Sequence, residues 1–197
     1  MMSRCRTAIL ISGRGSNMSA LIEAAHAPDF PAQIALVVAN IPGAGGLAKA
    51  QAEGIATETV DHKLFGRDRE AFERALDQVL HAHRIELVCL AGFMRLLSPW
   101  FVNAWQGRLL NIHPALLPAF KGLDTHARAL AAGAKKHGAS VHYVTAGMDE
   151  GPIILQGEIP VMDNDTPDTL AKRVLDVEHK IYPRALREVA ATLIAGR

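Results

Sequence analysis

The sequence contains little cysteine, which excludes one class of protein at the outset. Two cysteines, Cys5 and Cys89, occur among its 197 residues, and they lie far apart. A secreted domain held together by disulfides, or a metal site built from thiolates, requires more cysteines at closer spacing. We therefore expect neither a disulfide framework nor a bound metal.

Strong net charge and long hydrophobic runs are also missing. Lysine and arginine total 21 against 20 aspartates and glutamates, a formal net charge of +1, so no overall field attracts nucleic acid or an anionic membrane. The apolar runs are shorter than the roughly 18 to 20 residues that span a bilayer, and residues 1–6 lack the apolar region of a signal peptide. We expect a cytoplasmic protein that binds neither nucleic acid nor a membrane.

The composition that remains is that of an ordinary globular domain. Hydrophobic residues make up 49% and charged residues 21% of the chain, and the length favours one domain over residues 1–197. Short apolar runs alternate with segments of helical period, which predicts repeated βαβ units. We expect an α/β fold with a mainly parallel sheet, helices on both faces, and antiparallel strands in the C-terminal half.

The predicted elements follow from these periods. Apolar runs predict strands at residues 8–11, 34–39, 55–60, 85–90, 109–112, 139–144 and 153–161. Apolar residues at helical spacing predict helices that begin near residue 17 and cover residues 47–53, 67–83 and about 166–194. Ser98 followed by Pro99 predicts one further short helix, and Pro183 is expected to kink the last one.

A glycine-rich turn, Gly13-Arg14-Gly15-Ser16-Asn17, joins the first strand to the first helix. Backbone N–H groups at a helix N-terminus can bind a phosphate, and Ser16 and Asn17 add side-chain donors. A dinucleotide site would require a third glycine where Met18 stands and an acidic residue where Asn40 stands. A terminal monophosphate is the favoured ligand, and a turn that merely connects the two elements is the alternative.

Asn111 and His113 lie two residues apart at the end of a buried strand. Both side chains should therefore project toward the cleft outside the carboxyl ends of the strands. Acyl transfer to an amine needs a donor to the developing oxyanion and a group that relays a proton, and an amide and an imidazole supply these. A carboxylate that orients the histidine is expected from the loop 147–152, where Asp149 and Glu150 both qualify.

The segment 91–97, Ala-Gly-Phe-Met-Arg-Leu-Leu, follows another buried strand. Its mixture of methionine, aromatic and backbone groups suits a flat heteroaromatic ligand. Ordinary core packing is the alternative interpretation.

Taken together, four ordered motifs resemble the folate-dependent formyltransferase family of purine synthesis. They are the segments 11–17, 90–95, 109–118 and 149–156. The resemblance implies a Rossmann-like formyltransferase fold and the transfer of a formyl group from 10-formyltetrahydrofolate to the amine of 5′-phosphoribosylglycinamide (GAR). It also implies that Asn111, His113 and Asp149 are catalytic, which selects Asp149 over Glu150.

The resemblance further assigns the two substrates to the two halves of the domain, with GAR phosphate in the N-terminal half and folate in the C-terminal half. The positions implied for GAR are Gly15, Ser16, Asn17 and Glu178. The positions implied for the folate are Arg69, Met94, Arg95, Leu96, Leu97 and Asn111.

Some residues depart from the family pattern, and two other functions compete. Ala115 stands where the family often has serine, Asp124 where bacterial members often have histidine, and Leu175 where a bacterial member has glutamine. These differences bear on substrate affinity and leave the reaction type unchanged. The alternatives are a 10-formyltetrahydrofolate hydrolase, which usually has histidine where Pro114 stands and carries a further N-terminal domain, and a non-catalytic folate or nucleotide binding protein.

Overall fold

A seven-stranded mixed sheet organises the chain in a computed structural model that describes residues 4–197. The strands are β1 (Cys5–Ile11), β2 (Ala32–Ala39), β3 (Ala56–Thr59), β4 (Leu87–Leu90), β5 (Leu109–His113), β6 (Lys136–Tyr143) and β7 (Ile153–Pro160). The helices are α1 (Ser16–Ala25), α2 (Gly45–Ala52), α3 (Arg69–Ala82), α4 (Pro99–Ala104), α5 (Thr125–Ala131) and α6 (Pro167–Ala195). The expectation about residues 1–6 falls partly on Met1 to Ser3, which lie outside the described residues.

The strand order of the sheet is β3-β2-β1-β4-β5-β6-β7. Strands β1 to β5 pair in parallel, whereas β6 is antiparallel to both of its neighbours. The predicted α/β class, the mainly parallel sheet and the antiparallel C-terminal strands are confirmed. The order reverses between β1 and β4, and ligands of such sheets bind outside the carboxyl ends of the strands at that point.

Two apolar layers cover the sheet, because successive side chains of a strand point to opposite faces. Ile9 of β1 belongs to the layer that includes Leu21 of α1 and Leu186 of α6. Its neighbour Leu10 belongs to the other layer, with Leu76 of α3 and Phe101 of α4. The helices therefore lie on both faces of the sheet. The carboxyl ends of the parallel strands β1, β4 and β5 lie together at one end of it.

The structure differs from the sequence prediction in a few elements. Helix α5, which follows a left-handed Asp124, was not predicted, because its seven residues are too short for a clear helical period. Strand β6 begins at Lys136, three residues before the predicted start, because Lys136 to Gly138 pair with β7. Helix α6 is a single helix from Pro167 to Ala195 with Pro183 inside it, and the kink expected at Pro183 stays a prediction.

Candidate active site

The carboxyl end of β5 presents Asn111 and His113 beside the antiparallel strand β6. The register pairs Asn111 with His142 and His113 with Ser140. The Nδ2 atom of Asn111 lies 3.4 Å from Nε2 of His142. The sequence analysis did not identify His142. Its spacing of two from Ser140 places both side chains on one face of β6, but only the pairing with β5 shows that this face lies beside Asn111 and His113.

His113 is buried and is held through both of its ring nitrogens. Its Nε2 lies 2.9 Å from the main-chain oxygen of Phe120, and because a carbonyl oxygen only accepts, Nε2 carries a proton. Its Nδ1 lies 3.4 Å from Oδ2 of Asp149. The ring is thus oriented by the loop after β5 and faces a carboxylate.

The structure brings Asp149, and not Glu150, to the histidine. Asp149 adopts a left-handed backbone conformation with φ of 51°, and its Oδ2 accepts a hydrogen bond of 2.9 Å from the N–H of Gly122. Glu150 is exposed and pairs with Lys121 at 2.8 Å. Adjacent acidic residues in one turn thus point to different partners.

The Asp149 carboxylate is placed between two imidazoles. Its Oδ1 lies 3.7 Å from Nε2 of His142, in addition to the His113 contact. Burial raises the pKa of Asp149, but the adjacent His142 ring, the hydrogen bond from Gly122 and the positive charge of His113 outweigh that effect and hold the pKa below its ordinary value. Asp149 is therefore an anion at neutral pH, and it borders a cavity of about 170 Å³ that Leu117 and Pro118 also line.

The turn before α1 has the geometry of an anion-binding helix N-terminus. Gly15 precedes the helix with φ of 67°, a left-handed conformation that glycine adopts without strain. Ser16 is exposed at the first position of the helix, and no side chain caps that end. The N–H groups of the first turn point out of a helix N-terminus and favour negative charge there.

Asn17 and Glu178 are brought together across 161 residues of sequence. The Nδ2 of Asn17 donates to Oε2 of Glu178 at 2.8 Å, whereas the buried Oδ1 of Asn17 has no hydrogen-bond partner among the described residues. Burial raises the pKa of Glu178, and the hydrogen bond from Asn17 opposes this rise. The pair connects the start of α1 with the middle of α6 beside the glycine-rich turn 13–17.

The segment 91–97 combines exposed apolar side chains with a fixed backbone. Met94 is 68% and Leu96 59% exposed, which contradicts ordinary core packing at these two positions. Leu97 is half-buried against the layer that contains α3 and α4. Arg95 is half-buried with its guanidinium over the Phe72 ring, and Arg69 is exposed at the first position of α3.

The described residues contain neither a cluster of metal-binding side chains nor a membrane-spanning helix. Within residues 4–197, no cluster of three or more histidine, cysteine, aspartate or glutamate side chains is arranged to hold a metal ion. Across the same range, no helix has the length and apolar character required to cross a membrane. The two buried cysteines are free, and burial raises the pKa of Cys5 to about 11.

The fold is a Rossmann-like sheet, and an Asn–His–Asp group lies near the carboxyl ends of its strands. This group offers the hydrogen-bond donor and the proton relay that acyl transfer requires. The model of the formyl transferase family matches residues 5–186. The chain belongs to this family.

Within the family, the chain is similar to phosphoribosylglycinamide formyltransferases. It is 46% identical to that enzyme of Escherichia coli strain K12 over 175 residues, which cover 89% of this chain and 82% of the relative. The crystal structure of the Brucella melitensis enzyme is 54% identical, with a TM-score of 0.92 over 96% of this chain and 97% of that one. The bovine trifunctional purine biosynthetic protein adenosine-3 is 48% identical over 188 residues, and this chain spans 18% of its length.

Proposed function

We propose that the protein transfers the formyl group of 10-formyltetrahydrofolate to the amine of GAR, giving formyl-GAR and tetrahydrofolate in de novo purine (IMP) biosynthesis. The observation that carries the proposal is the Asn111, His113 and Asp149 group, in which Asp149 lies 3.4 Å from His113. Similarity to phosphoribosylglycinamide formyltransferases along almost the whole chain supports it. The other activities of the trifunctional relatives are not part of the proposal.

In the proposed reaction, the GAR amine attacks the formyl carbon and forms a tetrahedral centre. The amide of Asn111 donates a hydrogen bond to the oxygen that becomes negative, and the positive charge of the protonated His113 ring stabilises that oxygen electrostatically, which lowers the barrier because both groups are already in place. The bond from carbon to N10 of the folate then breaks, and a proton from the attacking amine reaches N10. Formyl-GAR and tetrahydrofolate leave with all atoms accounted for.

Asp149 acts through His113. Because the Nε2–H of His113 donates to Phe120, Nδ1 is the ring nitrogen that faces the carboxylate. An ionised Asp149 compensates positive charge on the ring and fixes its orientation during the transfer. His142 contacts both Asn111 and Asp149 and holds their side chains in register.

Two surfaces beside this centre are proposed for the substrates. The GAR phosphate is assigned to Gly15, Ser16 and Asn17, and the ribose or glycinamide end of GAR is assigned to Glu178. The folate is assigned to Arg69, Met94, Arg95, Leu96, Leu97 and Asn111. The exposed thioether and isobutyl groups of Met94 and Leu96 fit a flat ring, because they offer apolar area that is otherwise in contact with water.

The proposal also covers the domain organisation, location and oligomeric state of the enzyme. A single domain carries both substrate sites, with the phosphate site in its N-terminal half and the folate site and catalytic group in its C-terminal half. The protein acts in the cytoplasm as a monomer or homodimer, on small molecules and without a metal ion.

The test is an initial-rate assay of purified protein with 10-formyltetrahydrofolate, followed by the change in folate absorbance. We expect turnover that requires GAR and saturates with it. Equal turnover without GAR would instead indicate the hydrolase. Folate binding without turnover in either condition would indicate the non-catalytic binding protein.

A further inference from the structure

We propose that Ser12 is a positioning residue that fixes the folate-side segment 91–97 against the start of the phosphate-binding turn. The inference rests on the proposed function, because it concerns how the two substrate surfaces are held relative to each other. Ser12 immediately follows β1 and precedes Gly13. Its hydrogen bonds join it to Gly92, Asn40 and Met94, and to none of Asn111, His113 and Asp149, so it acts through the loop backbone.

Ser12 holds the segment 91–97 at two points. Parallel pairing of β1 with β4 extends beyond the strands through the hydrogen bond from Ala91 N–H to Leu10 oxygen at 2.9 Å, and then from Ser12 N–H to Gly92 oxygen at 3.1 Å. The Ser12 hydroxyl oxygen then accepts the N–H of Met94 at 2.8 Å. The main-chain hydrogen bonds between the two segments end at Gly92, and the Ser12 side chain adds one bond two residues further on, at Met94. Met94 is the first exposed apolar residue of the segment.

Asn40 sets the direction of the Ser12 hydroxyl. The hydroxyl donates its one proton to Oδ1 of Asn40 at 2.6 Å, so its lone pairs are left to accept from Met94. Asn40 is 2% exposed, and its main-chain oxygen accepts from Nδ1 of His62 at 2.8 Å. Dinucleotide-binding sheets use this strand end for an acidic residue that binds a ribose. In this protein, Asn40 lies at the same strand end and orients the hydroxyl of Ser12.

Loss of the Ser12 hydroxyl leaves the Met94 N–H without this acceptor and frees the middle of the segment. The Ser12 main-chain bond to Gly92 is unaffected, and so is the turn at Gly15. Folate binding should therefore weaken, while GAR binding and the chemical step are retained. For one hydrogen bond of ordinary net strength, we expect the KM for the folate to rise roughly three- to tenfold.

The experiment compares steady-state KM and kcat for Ser12→Ala, Ser12→Thr and Asn40→Asp with the unmodified enzyme. The alanine variant should raise the KM for 10-formyltetrahydrofolate, with the KM for GAR and kcat within twofold. The threonine variant restores a hydroxyl, and aspartate at position 40 still accepts its proton, so both should remain within twofold. Thr7→Val is the matched control, because it removes another β1 hydroxyl, one that bonds to Cys5.

The double variant Ser12→Ala, Asn40→Leu separates positioning from general loss of structure. If Asn40 acts on the folate site through Ser12, the double variant should have the same folate KM as Ser12→Ala, even where its melting temperature is lower. The inference is overturned if the folate KM of Ser12→Ala is unchanged, if both KM values rise together, or if Ser12→Thr fails to restore it. An unmodified enzyme that does not transfer formyl to GAR refutes the proposed function instead.

Discussion

Replacing Asp149 by asparagine removes one negative charge from the candidate catalytic group while leaving its shape almost unchanged. The carboxylate lies 3.4 Å from Nδ1 of His113, a separation at which two unit charges interact by about 5 kcal/mol at an effective dielectric constant of about 20. Asparagine keeps one oxygen and can still accept from Gly122. We therefore expect about 3 kcal/mol of that interaction to be lost from the transition state, which lowers kcat by a factor on the order of 10² or more.

The assay is GAR-dependent formyl transfer at saturating concentrations of both substrates. Glu150→Gln is the matched control, because the neighbouring carboxylate pairs with Lys121 at the surface and should keep kcat within threefold. Circular dichroism and thermal unfolding establish that both variants are folded. Equal kcat values for the two variants, or a near-normal kcat for Asp149→Asn, would refute the role assigned to Asp149.

Three further predictions address substrate binding, packing and pH. Ser16→Ala should raise the KM for GAR several-fold with little change in kcat, measured by initial rates; an unchanged KM would count against a phosphate role. Gly138→Ala should destabilise the fold by more than about 3 kcal/mol in urea, because a Cβ there would lie 1.9 Å from the main-chain oxygen of Gly157, whereas Gly45→Ala, with open space around it, should not. Burial, with the nearby charges of His126 and His113, lowers the pKa of His137 to about 4. Since the unfolded chain binds that proton at about 6.5, stability should fall as pH drops from about 6.5 to about 4. His137→Gln should flatten this slope and the exposed His26→Gln should not; unchanged urea profiles for His137→Gln would refute the assignment.

Local sequence signals were sufficient for most of the fold. The buried strands are continuous apolar runs, and Gly15 and Ser98 mark helix starts by their own backbone and side-chain chemistry. These signals involve neighbours in sequence, so they do not depend on distant contacts. Helix α5 escaped prediction because its position depends on the loop that packs after β5 rather than on its own short pattern.

Contacts between distant strands explain what the sequence left open in the candidate site. Asn111 and His113 were expected on one side of a strand end, which is a local property. The place of His142 depends on the antiparallel register of β6 against β5. The choice between Asp149 and Glu150 depends on a left-handed backbone angle and on the N–H of Gly122, 27 residues away in sequence. The spacing of residues along the sequence predicts neither the register of β6 against β5 nor the backbone conformation of Asp149.

The central claim is that the formyl carbon passes from folate to the GAR amine at this site. The most direct measurement follows 10-formyltetrahydrofolate labelled with ¹³C in its formyl group, with mass spectrometry of all products after incubation with enzyme and GAR. We predict labelled formyl-GAR in a one-to-one ratio with tetrahydrofolate, and loss of this product in His113→Ala. Labelled formate in place of formyl-GAR, or undiminished product from His113→Ala, would contradict the claim.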